Sequence, residues 1–168
     1  MNYVIVKRIA DGIEISDIYI QGKNIEKLNK EDTVFEFSEN LGKNDLDFAI
    51  KYLMQGNTTD DNDFIFAGKC LTIISVVKEM PENQHRQSVR NALKSLTSIP
   101  ENHGLVVGIV GNSEKLRLYE VTEIMDEIKK AVKKNTPIEF ANIFEDVENI
   151  SVIIAFETNM SKFFSDRA

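Results

Sequence analysis

The chain has no tryptophan, a single cysteine and three prolines among its 168 residues. One cysteine, Cys70, cannot close an internal disulfide, so a stapled secreted scaffold is excluded. No stretch approaches the roughly 18 apolar residues that a membrane helix needs. Lys7 and Arg8 follow the first apolar run instead of preceding it, the reverse of a signal peptide. The expected location is therefore cytoplasmic. Positive charge is in the minority, with 20 Lys and Arg against 27 Asp and Glu and a net charge of −7. Nucleic-acid binders carry a basic footprint that neutralises phosphates. The densest basic group here, Lys129, Lys130, Lys133 and Lys134, falls at the end of a helical pattern, where cations complement the helix dipole. No nucleic-acid or membrane partner is expected. The eight glycines are scattered, and no glycine-rich loop offers converging backbone N–H groups to a phosphate.

What is present is an ordinary globular share of apolar residues, 42%, in one domain-sized chain. Tyr3 to Ile9 alternates as a strand, and Asp11-Gly12 suits a hairpin turn into Ile13 and Ile15. The alternation changes phase at Ser16-Asp17, a bulge or break. Phe35 and Phe37 straddle Glu36 in a short strand. After Asn40 to Asn44, Asp45 is a plausible N-cap for a helix with Leu46, Ile50, Leu53 and Met54 on one face. Gln55-Gly56-Asn57 resembles its C-cap. Phe64 to Gly68 and Leu71 to Val77 read as buried strand. Val89, Ala92, Leu93 and Leu96 mark a second helix. Gly104 to Val110 is a continuous apolar run, suited to a strand covered on both faces. Val121, Ile124, Met125, Ile128 and Val132 mark a third helix, stopped by Asn135-Thr136-Pro137. Ile138 to Phe144 and Ile150 to Phe156 are two strands, read as joined by a hairpin-like connection.

Several of these segments, in this order, resemble the C-terminal domain of the FtsZ/tubulin family, here without its GTPase domain. Gly42-Lys43-Asn44-Asp45-Leu46-Asp47-Phe48-Ala49-Ile50 is similar to the family's T7 loop and following helix, G-x-x-N-x-D-F-A-D. Glu82 to Val89 resembles the E-N-R-A-x-E-A helix start. Gly104 to Gly111 resembles the strand G-V-L-V-N-I-T-G, Leu116 to Val121 the opening L-T-L-F-E-V of the last helix, and Val152 to Phe156 the closing strand. The resemblance implies an α+β two-layer sandwich: a mixed four-stranded sheet with helices packed on it, plus N-terminal β-hairpin strands. It also implies a division into a strand extension at 1–41, the FtsZ-like domain at 42–157 and a tail at 158–168. In the family, T7 acids activate water for GTP held by a neighbouring subunit. Here Asp47 matches one acid, Ile50 replaces the other, and Asp45 stands for the asparagine. The segment is thus expected to serve interaction, through Asp45, Asp47 and Ile50, without catalysis. No cofactor is expected, and the implied partner is FtsZ or a related filament subunit.

Other patterns in the chain have plainer readings. Asp60 to Asp63 lacks the later ligands of a calcium loop, so no metal site is expected. Cys70 with His85 or His103 makes no recognisable nucleophile pair. Cys70 reads as a small buried hydrophobe, and both histidines as surface residues. Asp45 and Asp47 are spaced as a carboxylate pair for acid–base work would be, but the plainer reading is an N-cap with a first-turn acid favoured by the helix dipole. Phe35 and Phe37 are the expected docking residues of the N-terminal strands, and Met160, Phe163 and Phe164 give the tail an apolar stripe. Two further functions stay open: a subunit that assembles with itself, and a small-molecule enzyme of chorismate-mutase-like architecture. The latter would use Arg86 and Arg90, which share a helix face.

Overall fold

Strand and helix periodicities in the chain resolve into eight strands and three helices in a computed structural model, which describes residues 2–9, 12–15, 19–20, 28–55, 68–94 and 104–159. The strands are β1 (Asn2–Ile9), β2 (Gly12–Ile15), β3 (Tyr19–Ile20), β4 (Thr33–Phe37), β5 (Lys69–Met80), β6 (Gly104–Gly111), β7 (Ile138–Phe144) and β8 (Ile150–Asn159). The helices are α1 (Lys43–Gln55), α2 (His85–Lys94) and α3 (Leu118–Ala131). The class is α+β. Two compact units are formed: Met1–Ile73 with Glu157–Ala168, and Ile74–Phe156. Strands β5 and β8 run through both.

In the first unit the strand order is β2-β1-β4-β5, with β3 also on β1. The first two strands form the expected hairpin, antiparallel from Val6↔Ile15 to Ile9↔Gly12. Strand β4 lies antiparallel to β1 and parallel to β5, with Phe35 opposite Leu71. Thr72 Oγ1 donates to Glu36 Oε2 across that pair, at 3.2 Å. The sheet is therefore larger than the four strands expected, because β5 takes β4 as a neighbour through Cys70, Leu71 and Thr72. Tyr3, Ile5, Leu28, Val34 and Cys70 pack together. Phe35 and Phe37 are buried, as is Cys70. Asp32 fixes the approach to β4: its carboxylate accepts from the Asn29 N–H at 2.8 Å and from Lys7 Nζ at 2.6 Å. Helix α1 begins at Lys43, two residues before the expected cap. The Leu46 N–H already donates to the Gly42 carbonyl at 3.0 Å, which makes Gly42 the capping position and puts Asp45 in the first turn.

In the second unit the order is β5-β8-β6-β7. This overturns the hairpin reading of the last two strands. β7 pairs in parallel with β6, from Leu105↔Ile138 to Gly111↔Phe144, and β8 lies between β5 and β6. The physical reason is burial. Ile150 to Ala155 is buried on both strand faces, as a central strand must be, whereas β7 alternates with exposed positions and suits an edge. Val107, Ile109, Val152 and Ile154 meet Val89, Ile124 and Ile128 of the two helices in one core, so sheet and helices form two layers. The end of β6 approaches the next loop closely. A Cβ added at Gly111 would stand 2.9 Å from Leu116 Cγ, so the apolar run ends in glycine for want of room.

Candidate interaction surface

Asp45 in the first turn of α1 and Asp47 just beyond it have different settings. Asp47 is exposed and Asp45 half-buried. Ile50 turns inward and is 1% exposed, so its side chain belongs to the interior of the first unit and is not presented to a partner. The helical period explains this, since Leu46, Ala49, Ile50 and Leu53 make the buried stripe.

The residues that do present apolar surface lie elsewhere. Phe140 is 52% exposed and Phe144 58% exposed. Both stand on β7, the last strand in the order of the second unit, which is hydrogen-bonded on one side to β6. Register puts Phe140 beside Val107 and Phe144 beside Gly111, on the face that carries the helical core. The helical layer reaches Ile138, which packs partly against that core, and leaves the two phenylalanines open. An edge strand of this kind offers main-chain donors and acceptors as well as side chains. The sequence reading assigned the strand but not its exposed face. The signal was the i, i+2, i+4 series Phe140, Asn142, Phe144, whose polar middle member marks a stretch of that face outside the core.

The arginine pair meets carboxylates, although Arg90 and Glu127 also line a shallow hollow of about 300 Å³. Arg90 Nε donates to Glu127 Oε2 at 3.1 Å and Arg90 Nη2 to Glu127 Oε1 at 2.8 Å, a bidentate fork between α2 and α3. Arg86 lies 3.6 Å from Glu127, 3.5 Å from Asp126 and 3.8 Å from Glu123. Lys130 approaches Glu127 at 3.5 Å. The guanidinium groups are thus engaged within the unit. Hydrogen bonds from Arg90 bring the Glu127 carboxyl down to about 2; burial opposes the shift, and the charges of Arg90 and Lys130 assist it. The folded value lies below the ordinary one, so the stabilisation is present above about pH 4.5 and is lost as pH falls through about 2. Both arginines are substantially exposed, and screening holds the expected worth to no more than about 1 kcal/mol. In urea unfolding, Glu127→Gln is expected to lower stability by that amount at pH 7, and the gap to wild type should close between pH 4.5 and 2. A gap unchanged at pH 2 would mean that the charge is not its source.

His85, expected at the surface, is buried at the start of α2. Among the described residues no group of His, Cys, Asp or Glu is arranged to hold a metal ion, and no helix is long and apolar enough to cross a membrane. Asp60 to Asp63, His103 and the tail stripe at Met160, Phe163 and Phe164 lie outside the described residues, as do the Ser16-Asp17 break, the Gly56-Asn57 cap and Phe64 to Ala67 of the strand expected to reach Gly68.

No protein-family model matches the chain, and no curated protein matches it. Among solved structures it is similar to a tryptophan-to-tyrosine mutant of FtsZ from M. jannaschii, at 21% identity and a TM-score of 0.44. The match covers 55% of this chain and 29% of that one, so the chain spans under a third of that structure's length. The similarity is a distant one.

Proposed function

We propose that the chain works by binding another protein, without catalysis, and that β7 is the strand that docks. The observation that carries this reading is the outer edge of β7, unpaired among the described residues, with Phe140 and Phe144 half exposed on the strand. Strand addition at such an edge gains affinity from main-chain hydrogen bonds and specificity from alternate side chains. Aromatic anchors are among the side chains that dominate binding energy. A filament subunit of the FtsZ type is the partner proposed first, on the strength of the FtsZ-like segments in the sequence, between Gly42 and Glu157.

Co-sedimentation with FtsZ, with GTP and with GDP, tests this reading. The expected result is that the protein pellets with the GTP polymer or changes its amount at substoichiometric ratio. A protein that stays in the supernatant while polymer mass is unchanged would remove the filament partner. Sedimentation of the protein alone would then test self-assembly, with mass rising with concentration as the outcome in its favour.

A further inference from the structure

We propose that a second site, a cavity at the N-terminal end of α3, binds an organic cation: a guanidinium or ammonium group on an alkyl stem, anchored by Glu120. The proposal stands apart from the β7 reading and uses none of its residues.

The cavity has a volume of about 520 Å³ and lies within the second unit. That is far more than one ammonium group requires and is in the range of small-molecule sites. Its walls are strongly acidic, with Glu82, Glu114, Glu120, Glu123 and Glu148 against Lys115 and Arg117. The basic residues are already employed. Lys115 Nζ lies 3.3 Å from a Glu82 oxygen and donates to the Glu148 carbonyl at 2.7 Å. Arg117 Nε donates to the Glu114 carbonyl at 3.1 Å. Glu123 meets Arg86. The carboxylates of Glu114, Glu120 and Glu148 are left without an ion pair among the described residues.

An acidic wall alone would be a solvated surface. Glu120 is different: it lines the cavity, is only 7% exposed, and its Oε2 has no hydrogen-bond partner among the described protein groups. Its place in the first turn of α3 complements the helix dipole. That favours a negative charge there but supplies no donor to Oε2. A buried acceptor left unsatisfied is costly, and more so when charged. A cationic donor entering the cavity would satisfy it with a charge-assisted bond.

The surroundings select the kind of cation. A metal ion is not favoured, since no ligand group of that geometry occurs among the described residues. Tyr119 lines the cavity beside Glu120 with its ring half exposed, a surface on which a cation can rest. The same neighbour raises the Tyr119 phenol above its ordinary value, first through a hydrogen bond to the Glu120 carboxylate and then through its charge. Met80 and Ile150 contribute apolar wall for a hydrocarbon stem. Acid to hold the head, a ring beside it and apolar wall for the stem suit agmatine-like amines or an arginine or lysine side chain.

Agmatine is the probe, titrated by calorimetry and by amide NMR into wild type, Glu120→Gln and the control Glu39→Gln, an exposed residue outside the cavity lining. Saturable binding is expected in wild type and in the control, weakened at least ~10-fold in Glu120→Gln. A short arginine-containing peptide run in parallel separates the sources. Tighter binding of the peptide assigns the site to a partner's side chain, and tighter binding of agmatine to a free amine. Three results would overturn the proposal: no saturable binding of either probe, equal binding by Glu120→Gln, or displacement of agmatine by millimolar calcium or magnesium. Should Glu120→Gln fail to fold, the wild-type NMR map decides. Shifts centred on Lys115, Tyr119 and Glu120 support the site, and shifts centred elsewhere overturn it.

Discussion

Replacing Ile109 by alanine is expected to destabilise the protein by about 3 to 4 kcal/mol, the largest effect of any single change considered. Ile109 sits in β6, a strand whose residues from Leu105 onward are buried, and it is itself fully inaccessible. It belongs to the core in which Val107, Val152 and Ile154 of the sheet meet Ile124 and Ile128 of α3. Truncation removes apolar atoms from that contact and leaves a void that strands held by main-chain hydrogen bonds cannot collapse to fill. Ile109→Val keeps most of the shape and is expected to cost only about 1 kcal/mol. Urea unfolding followed by circular dichroism reads both. A loss under 1 kcal/mol for the alanine variant would mean that β6 is not packed as described.

A second large effect is expected at Gly68, just before β5. Its φ is +76°, a conformation that side chains rarely adopt, and a Cβ there would stand 2.8 Å from the Lys30 carbonyl oxygen. Its N–H donates to the Asp32 carbonyl at 3.0 Å, which ties the start of β5 to the segment leading into β4. Gly68→Ala therefore meets two penalties: the left-handed conformation, and a backbone oxygen that cannot swing aside as a flexible side chain would. Together these are expected to cost about 2 to 3 kcal/mol. Asparagine tolerates the left-handed region better, yet it carries the same Cβ. Gly68→Asn should therefore recover only part of the loss. Full recovery by asparagine would show that conformation, and not the close approach, sets the requirement.

The ease with which the fold could be read varied with the physics of each segment. α3 declared itself because Val121, Ile124, Met125 and Ile128 repeat at the helical period, and all four are buried. β6 did so because a continuous apolar run is what a strand covered on both faces requires. The path from β7 to β8 was not legible in the same way. Five intervening residues suit a hairpin, and local spacing says nothing of a strand that lies between β5 and β6 instead. The useful sign was compositional: Val152, Ile153, Ile154 and Ala155 leave no polar face, whereas Glu139 and Asn142 put a polar residue on each face of β7.

Site residues were harder to read, because a site depends on what lies opposite. Arg86 and Arg90 shared a helix face as expected, but only the structure shows that Glu123, Asp126 and Glu127 of α3 answer them. Asp45, read as the cap, stands in the first turn of α1 with Asp47 just beyond it, while Ile50 follows the buried stripe inward. Phe140 and Phe144 look like core residues in the sequence. Their exposure follows from the position of β7 at the end of the strand order and from a helical layer that reaches no farther than Ile138.

Docking through the edge of β7 is the central claim, and the Phe140→Ser, Phe144→Ser double variant tests it most directly in the co-sedimentation assay. Both side chains are half exposed, so the variant should unfold within about 0.5 kcal/mol of wild type for each substitution. Its partner affinity should fall at least ~10-fold, in line with the loss of aromatic anchors. A variant that folds as wild type does and still sediments with the partner at full affinity would contradict the account.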